Sequence, residues 1–167
     1  MNAIRFNQSI GRTFHISRIA EAAQIGDPNH VITTESGYST ALGVTSGAVG
    51  VTENVQAALT TRMLLEQYRH GIDRTYIYEM YDLATNPSAT ISRDNWGLFR
   101  SDGTPKPVAV GIHNLTSLLS KNESSYVESS LDYDVSARAT VHHMLFQRGD
   151  GDYALVLWNE VNSWNVT

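Results

Sequence analysis

The sequence predicts an α/β unit built around a pair of parallel strands, followed by an antiparallel β-segment. Three observations carry this. Val31-Ile32-Thr33-Thr34 and Arg74-Thr75-Tyr76-Ile77-Tyr78-Glu79 are short β-branched or aromatic runs separated by a stretch of helical period. The first run is apolar on both faces, as a strand of a parallel sheet is. After about residue 122 the period changes to two.

Residues 13–26 are expected to form a short helix, with Ile16, Ile19, Ala20 and Ala23 on one face and Gly26-Asp27-Pro28 ending it. The strand at 31–35 ends in Glu35, and a Gly-, Ser- and Thr-rich loop covers 41–50. Thr52 is placed to cap the helix over 52–70. Glu53 suits its positive end, and Val55, Ala58, Leu59, Met63 and Leu65 supply an apolar stripe. Gly71 ends that helix, and the strand 74–79 follows. A polar loop runs from Asp82 to Asn95. Trp96-Gly97-Leu98-Phe99, the turn Ser101-Asp102-Gly103-Thr104 and a helix over 107–120 come next, Pro107 opening the helix and Val108, Ile112, Leu115 and Leu119 facing inward. Leu131, Tyr133 and Val135 alternate with Asp132 and Asp134, as in a strand. Val141–Phe146 and Tyr153–Trp158 read as a hairpin turned by Arg148-Gly149-Asp150-Gly151-Asp152.

Composition narrows the function. The 167 residues are 41% apolar and 17% charged, enough to bury a core. A net charge of −5 argues against a dedicated nucleic-acid binder. With no cysteine there is no disulfide framework, cysteine nucleophile or thiolate metal site. The N-terminal residues lack the apolar core of a signal peptide, and no apolar run reaches the length of a membrane span, so the chain is expected to be soluble. His142 and His143 are adjacent on a strand and point to opposite faces. His15, His30, His70 and His113 lack metal-ligand spacing, so neither a metal nor another cofactor is expected.

The sharpest local feature is Thr33-Thr34-Glu35-Ser36-Gly37-Tyr38. It puts a carboxylate at the C-terminal end of a buried parallel strand, the end where α/β barrels build active sites. Such a carboxylate can attack an anomeric carbon while aromatic rings stack on the sugar. The same Glu could instead cap the next loop or pair with an arginine.

This stretch is followed in order by Leu59-Thr60-Thr61-Arg62-Met63-Leu64-Leu65, Gly71-Ile72-Asp73-Arg74-Thr75-Tyr76-Ile77-Tyr78-Glu79, Trp96-Gly97-Leu98-Phe99 and Asp102-Gly103-Thr104-Pro105-Lys106-Pro107. Together they resemble the last part of retaining glycoside hydrolases with a (β/α)8 TIM barrel, whose catalytic carboxylates lie on the fourth and seventh strands. The resemblance covers roughly residues 12–120. It implies that residues 1–122 are a partial barrel, from about its sixth helix to its eighth, and that 123–167 are part of a small antiparallel, β-sandwich-like domain.

On this resemblance Glu35 stands where the family keeps its nucleophile. Tyr38, Tyr78, Glu79 and Trp96 are the candidate substrate-binding residues, and the partner is a carbohydrate. Glu79 could also be a salt-bridge partner of Arg62 or Arg74, and Tyr78, Tyr81 and Trp96 could be core residues. The family's acid/base, usually in an Asn-Glu pair, has no counterpart. Asn159-Glu160 comes after the eighth strand and cannot take that role. The implied function is a fragment of a glycosidase working by double displacement, inactive alone. The alternative is a non-catalytic carbohydrate-binding or structural module.

Overall fold

The computed structural model describes residues 31–45, 49–83, 89–120 and 127–160. The helix expected over 13–26 lies outside them. The described residues fall into two compact units, one ending at Gly111 and one beginning at Ile112.

In the first unit β1 (Val31–Ser36) pairs in parallel with β2 (Ile72–Ile77), and α1 (Glu53–Arg69) connects them. The helix starts where its cap dictates: the Thr52 hydroxyl accepts a hydrogen bond from the Val55 amide at 3.3 Å, and Glu53 occupies the first turn. It stops at His70, and Gly71, at φ +78°, turns the chain into β2. A 3-10 turn, Ser92–Asp94, precedes the Trp96 segment, and α2 (Pro107–Leu119) follows it. The turn before α2 is fixed by Asp102. Its carboxylate accepts from the Thr104 amide at 2.9 Å and the Thr104 hydroxyl at 2.6 Å, and Gly103 takes φ +85°.

The face of α1 turned inward differs from the expected stripe. Gln56, Thr60, Met63 and Gln67, spaced by four, three and four, are buried along with Leu65, whereas Val55 and Leu59 are half-buried and Ala58 is exposed. The reason lies in what the helix meets. Gln67 Oε1 accepts the Thr33 hydroxyl at 3.0 Å and also the Thr75 hydroxyl, and Gln67 Nε2 donates to Ser36 Oγ at 3.4 Å. One amide thus bridges both strands. Gln56 Nε2 donates to the Tyr38 carbonyl at 2.8 Å and the Gly97 carbonyl at 3.3 Å. Polar groups that would otherwise be buried without partners are satisfied by a polar helix face. The apolar core is correspondingly small, with Val31, Ala41, Met63, Leu65, Ile72 and Val108.

The second unit contains a hairpin, β3 (Val141–Gln147) against β4 (Tyr153–Asn159), in unbroken antiparallel register from Val141↔Asn159 to Gln147↔Tyr153. Its turn closes through the Arg148 amide on the Asp152 carbonyl at 2.7 Å, with Gly151 at φ +87°. Ala154 and Trp158 are buried, while Leu155 and Leu157 are exposed on the other face. His142 packs edge-on against Trp158, and His143 Nδ1 lies 3.0 Å from the Tyr133 hydroxyl, so the two histidines diverge to opposite faces.

Three expectations are corrected. The chain is not a portion of a TIM barrel: the described residues hold two α-helices and four strands in two separate two-stranded sheets. The helical and strand periods specify a single βαβ unit, and nothing in that local pattern encodes how many strands follow or whether the sheet closes. Nor do the described residues of the second unit form a β-sandwich, which needs two sheets; they hold one two-stranded sheet. The alternating segment 131–135 forms no strand. Leu131 and Tyr133 stay exposed, and the 127–129 stretch is held to the hairpin by side chains, Gln147 Nε2 donating to the Val127 carbonyl at 3.0 Å. No helix among the described residues is long and apolar enough to cross a membrane.

Candidate functional site

The C-terminal ends of β1 and β2 lie side by side because the strands are parallel neighbours. Glu35 is the penultimate residue of β1 and half-buried. Tyr78 leaves β2 directly, and its amide donates to the Ser36 carbonyl at 2.8 Å, which extends the pairing. Gly37 lies between them. A Cβ there would strike the Tyr78 carbonyl and touch the Trp96 ring at 3.5 Å, so only glycine allows the two strand ends this approach. The Tyr78–Glu79 peptide is cis.

Trp96 is brought in by the backbone. The Glu79 amide donates to the Trp96 carbonyl at 3.3 Å, and the Leu98 amide donates to the Glu79 carbonyl at 3.0 Å. The Tyr78 and Trp96 rings then meet edge to face, with centroids 6.3 Å apart at 68°.

Both carboxylates act on Tyr78. The Tyr78 phenol is pushed above its ordinary value by burial, then by the charge of Glu79, its hydrogen bond to Glu79, and the charge of Glu35. Burial likewise pushes the Glu79 carboxyl up. The Tyr78 hydrogen bond pulls it down, Asp82 and Asp94 push it up, and Lys106 pulls it down. Glu79 Oε1 is buried and has no hydrogen-bond partner among the described residues. Asp82, Asp94 and Lys106 are the charges that act on Glu79.

Of the five residues singled out in the sequence, Glu35, Tyr78, Glu79 and Trp96 converge on one strand-end cluster. Tyr38 belongs to the same loop and is anchored through its carbonyl by Gln56. The sequence reading missed Lys106. Its side chain is only 1% exposed, and it donates to Asp82 Oδ1 at 2.8 Å and Thr40 Oγ1 at 3.0 Å. Asp82 Oδ1 also accepts the Gly97 amide at 2.8 Å. The available signal was a lysine enclosed by Pro105 and Pro107 just before a helix, a rigid setting for a long cation.

Chemically, the cluster offers one half-buried carboxylate at a strand end, a second carboxylate with an open acceptor, and two aromatic rings at an angle to each other. That set can attack or stabilise an electron-poor carbon, accept hydroxyl protons in hydrogen bonds and stack on an apolar ring face. Compared with known proteins, the chain matches no family model and no curated protein, and nothing in those comparisons identifies it as a glycoside hydrolase.

Proposed function

We propose that the chain carries the nucleophile side of a carbohydrate-cleaving site. Glu35 is the nucleophile toward an anomeric carbon. Glu79 accepts sugar hydroxyls, and Tyr78, Trp96 and Tyr38 frame the ring. One observation carries this reading: Glu35 and the Tyr78–Glu79 pair leave the C-terminal ends of adjacent parallel strands, with Trp96 held on Tyr78.

A retaining double displacement needs a second carboxyl group about 5–5.5 Å from the nucleophile to serve as acid/base. No described carboxylate is assigned that role, so the 167-residue chain is expected to bind sugars without turning over aryl glycosides. Saturation-transfer NMR with cellobiose, lactose, mannobiose and xylobiose tests the binding. At least one of the four is expected to bind, and Trp96→Ala to weaken it by roughly tenfold, a stacking contribution of about 1.4 kcal/mol. Binding of none of the four, or binding indifferent to Trp96→Ala, overturns the reading.

A further inference from the structure

We propose that Lys106 is the positioning residue of the strand-end cluster: its buried ammonium clamps the loop after β1 to the loop after β2 and supplies the positive charge against which Glu79 is held. The clamp is visible in the bonds. Lys106 reaches Thr40 on one loop and Asp82 on the other. Thr40 is itself tied to the Asn95 carbonyl through its amide at 2.8 Å and its hydroxyl at 3.2 Å. Asp82 fixes the Gly97 amide, and the residues on either side of Gly97 hold Glu79 by its amide and its carbonyl. These two backbone anchors of Glu79 therefore lie one step from the Lys106–Asp82 pair.

The charges agree with this placement. Glu79 is faced by Tyr78 and Asp82 from its own segment, by Asp94 from the 3-10 turn and by Lys106 just before α2; Glu35 of β1 acts on Tyr78. Asp94 has Arg93 beside it at 3.4 Å. Among these groups Lys106 is the one that favours the ionised form of Glu79 by its charge. The functional consequence rests on Glu79 being the ligand-facing carboxylate proposed above. The clamp itself rests on geometry alone.

The test reads the ionisation of Glu79 rather than activity. The full chain is labelled with 13C-glutamate, the Glu79 side-chain resonance is assigned by its loss in Glu79→Gln, and its titration is followed in four proteins. Lys106→Met is expected to move the Glu79 midpoint up. Asp82→Asn, which keeps an acceptor for the Gly97 amide, is expected to move it down. The double variant should return near the wild-type value, because the two charges act in opposite senses. A merely structural clamp behaves differently: loosening the site admits water and moves the midpoint down, toward the ordinary value, in every variant. That outcome overturns the proposal, as do identical midpoints in all four proteins. If Lys106→Met does not fold, Asp82→Asn and the double variant decide it, by whether the second substitution brings the midpoint back up. Failure of sugar binding beside the expected titration pattern would overturn the carbohydrate reading and leave the clamp standing.

Discussion

Replacing Lys106 with Met is expected to destabilise the first unit by about 3–5 kcal/mol, the range for removing one partner of a buried ion pair. Met nearly keeps the volume of the lysine stem, so the loss is electrostatic rather than a packing defect. Asp82, whose side chain is 10% exposed, is left facing the cluster with the Gly97 amide as its donor. The site already holds Glu79 and Asp94 nearby, which aggravates an uncompensated carboxylate. Urea denaturation followed by far-UV circular dichroism measures the change. The companion variant Lys106→Met/Asp82→Leu should recover most of the loss, because a buried pair exchanged for apolar side chains is often neutral. A loss below about 1 kcal/mol in the single variant, typical of an exposed pair, would show that the ammonium is solvated.

Gln67→Met is expected to cost about 2–4 kcal/mol, since buried hydroxyls left without a partner cost roughly 1–3 kcal/mol each. Thr33 and Ser36 are essentially inaccessible to water, and both lean on this one amide. Met preserves length and volume, so the effect isolates the hydrogen bonds. Adding Thr33→Val and Thr75→Val to Gln67→Met should regain part of the stability, because the stranded hydroxyls are then gone. In the wild-type background the same two valines should destabilise. This reversal of sign is what a shared network predicts, and additive effects of the three substitutions would contradict it.

Legibility in the sequence followed locality. The helix Glu53–Arg69 could be read because Thr52, Glu53 and Gly71 mark its ends by bonds within a few residues. The strand-end cluster could be read because a parallel βαβ unit necessarily sets the ends of its two strands together, and Glu35 and Glu79 stand at those ends. The inward face of the helix could not. Gln67 is buried by Thr33, 34 residues away, and Gln56 by the Gly97 carbonyl, 41 residues away. The apolar period points the helix toward Val55 and Ala58, because it registers apolar side chains and not the hydroxyls opposite. Lys106 was hidden for the same reason: its partner Asp82 is 24 residues upstream. The barrel expectation failed one level higher, where motif order describes a unit and says nothing of closure. The alternation of Leu131, Tyr133 and Val135 failed because a period of two specifies a strand only where backbones pair, and Tyr133 meets the hairpin through its side chain, its hydroxyl 3.0 Å from His143 Nδ1.

The central claim is that Glu35 is a nucleophile toward an anomeric carbon, and covalent capture tests it most directly. The full chain is incubated with 2-deoxy-2-fluoro glycosyl fluorides of the gluco, galacto, manno and xylo series in both anomers. Fluoride leaves without help from a general acid, so the absent acid/base is no obstacle. A Glu35 oxygen would form a bond to the anomeric carbon as the carbon–fluorine bond breaks and fluoride departs, and the 2-fluoro substituent slows hydrolysis of the resulting ester. The account predicts a mass gain of one fluoroglycosyl group on the peptide carrying Glu35 with at least one reagent, absent in Glu35→Gln and retained in Glu79→Gln. A label on Glu79 instead would put the nucleophile on the wrong strand. Saccharide binding with no label on any carboxylate would make the cluster a binding module and contradict the claim.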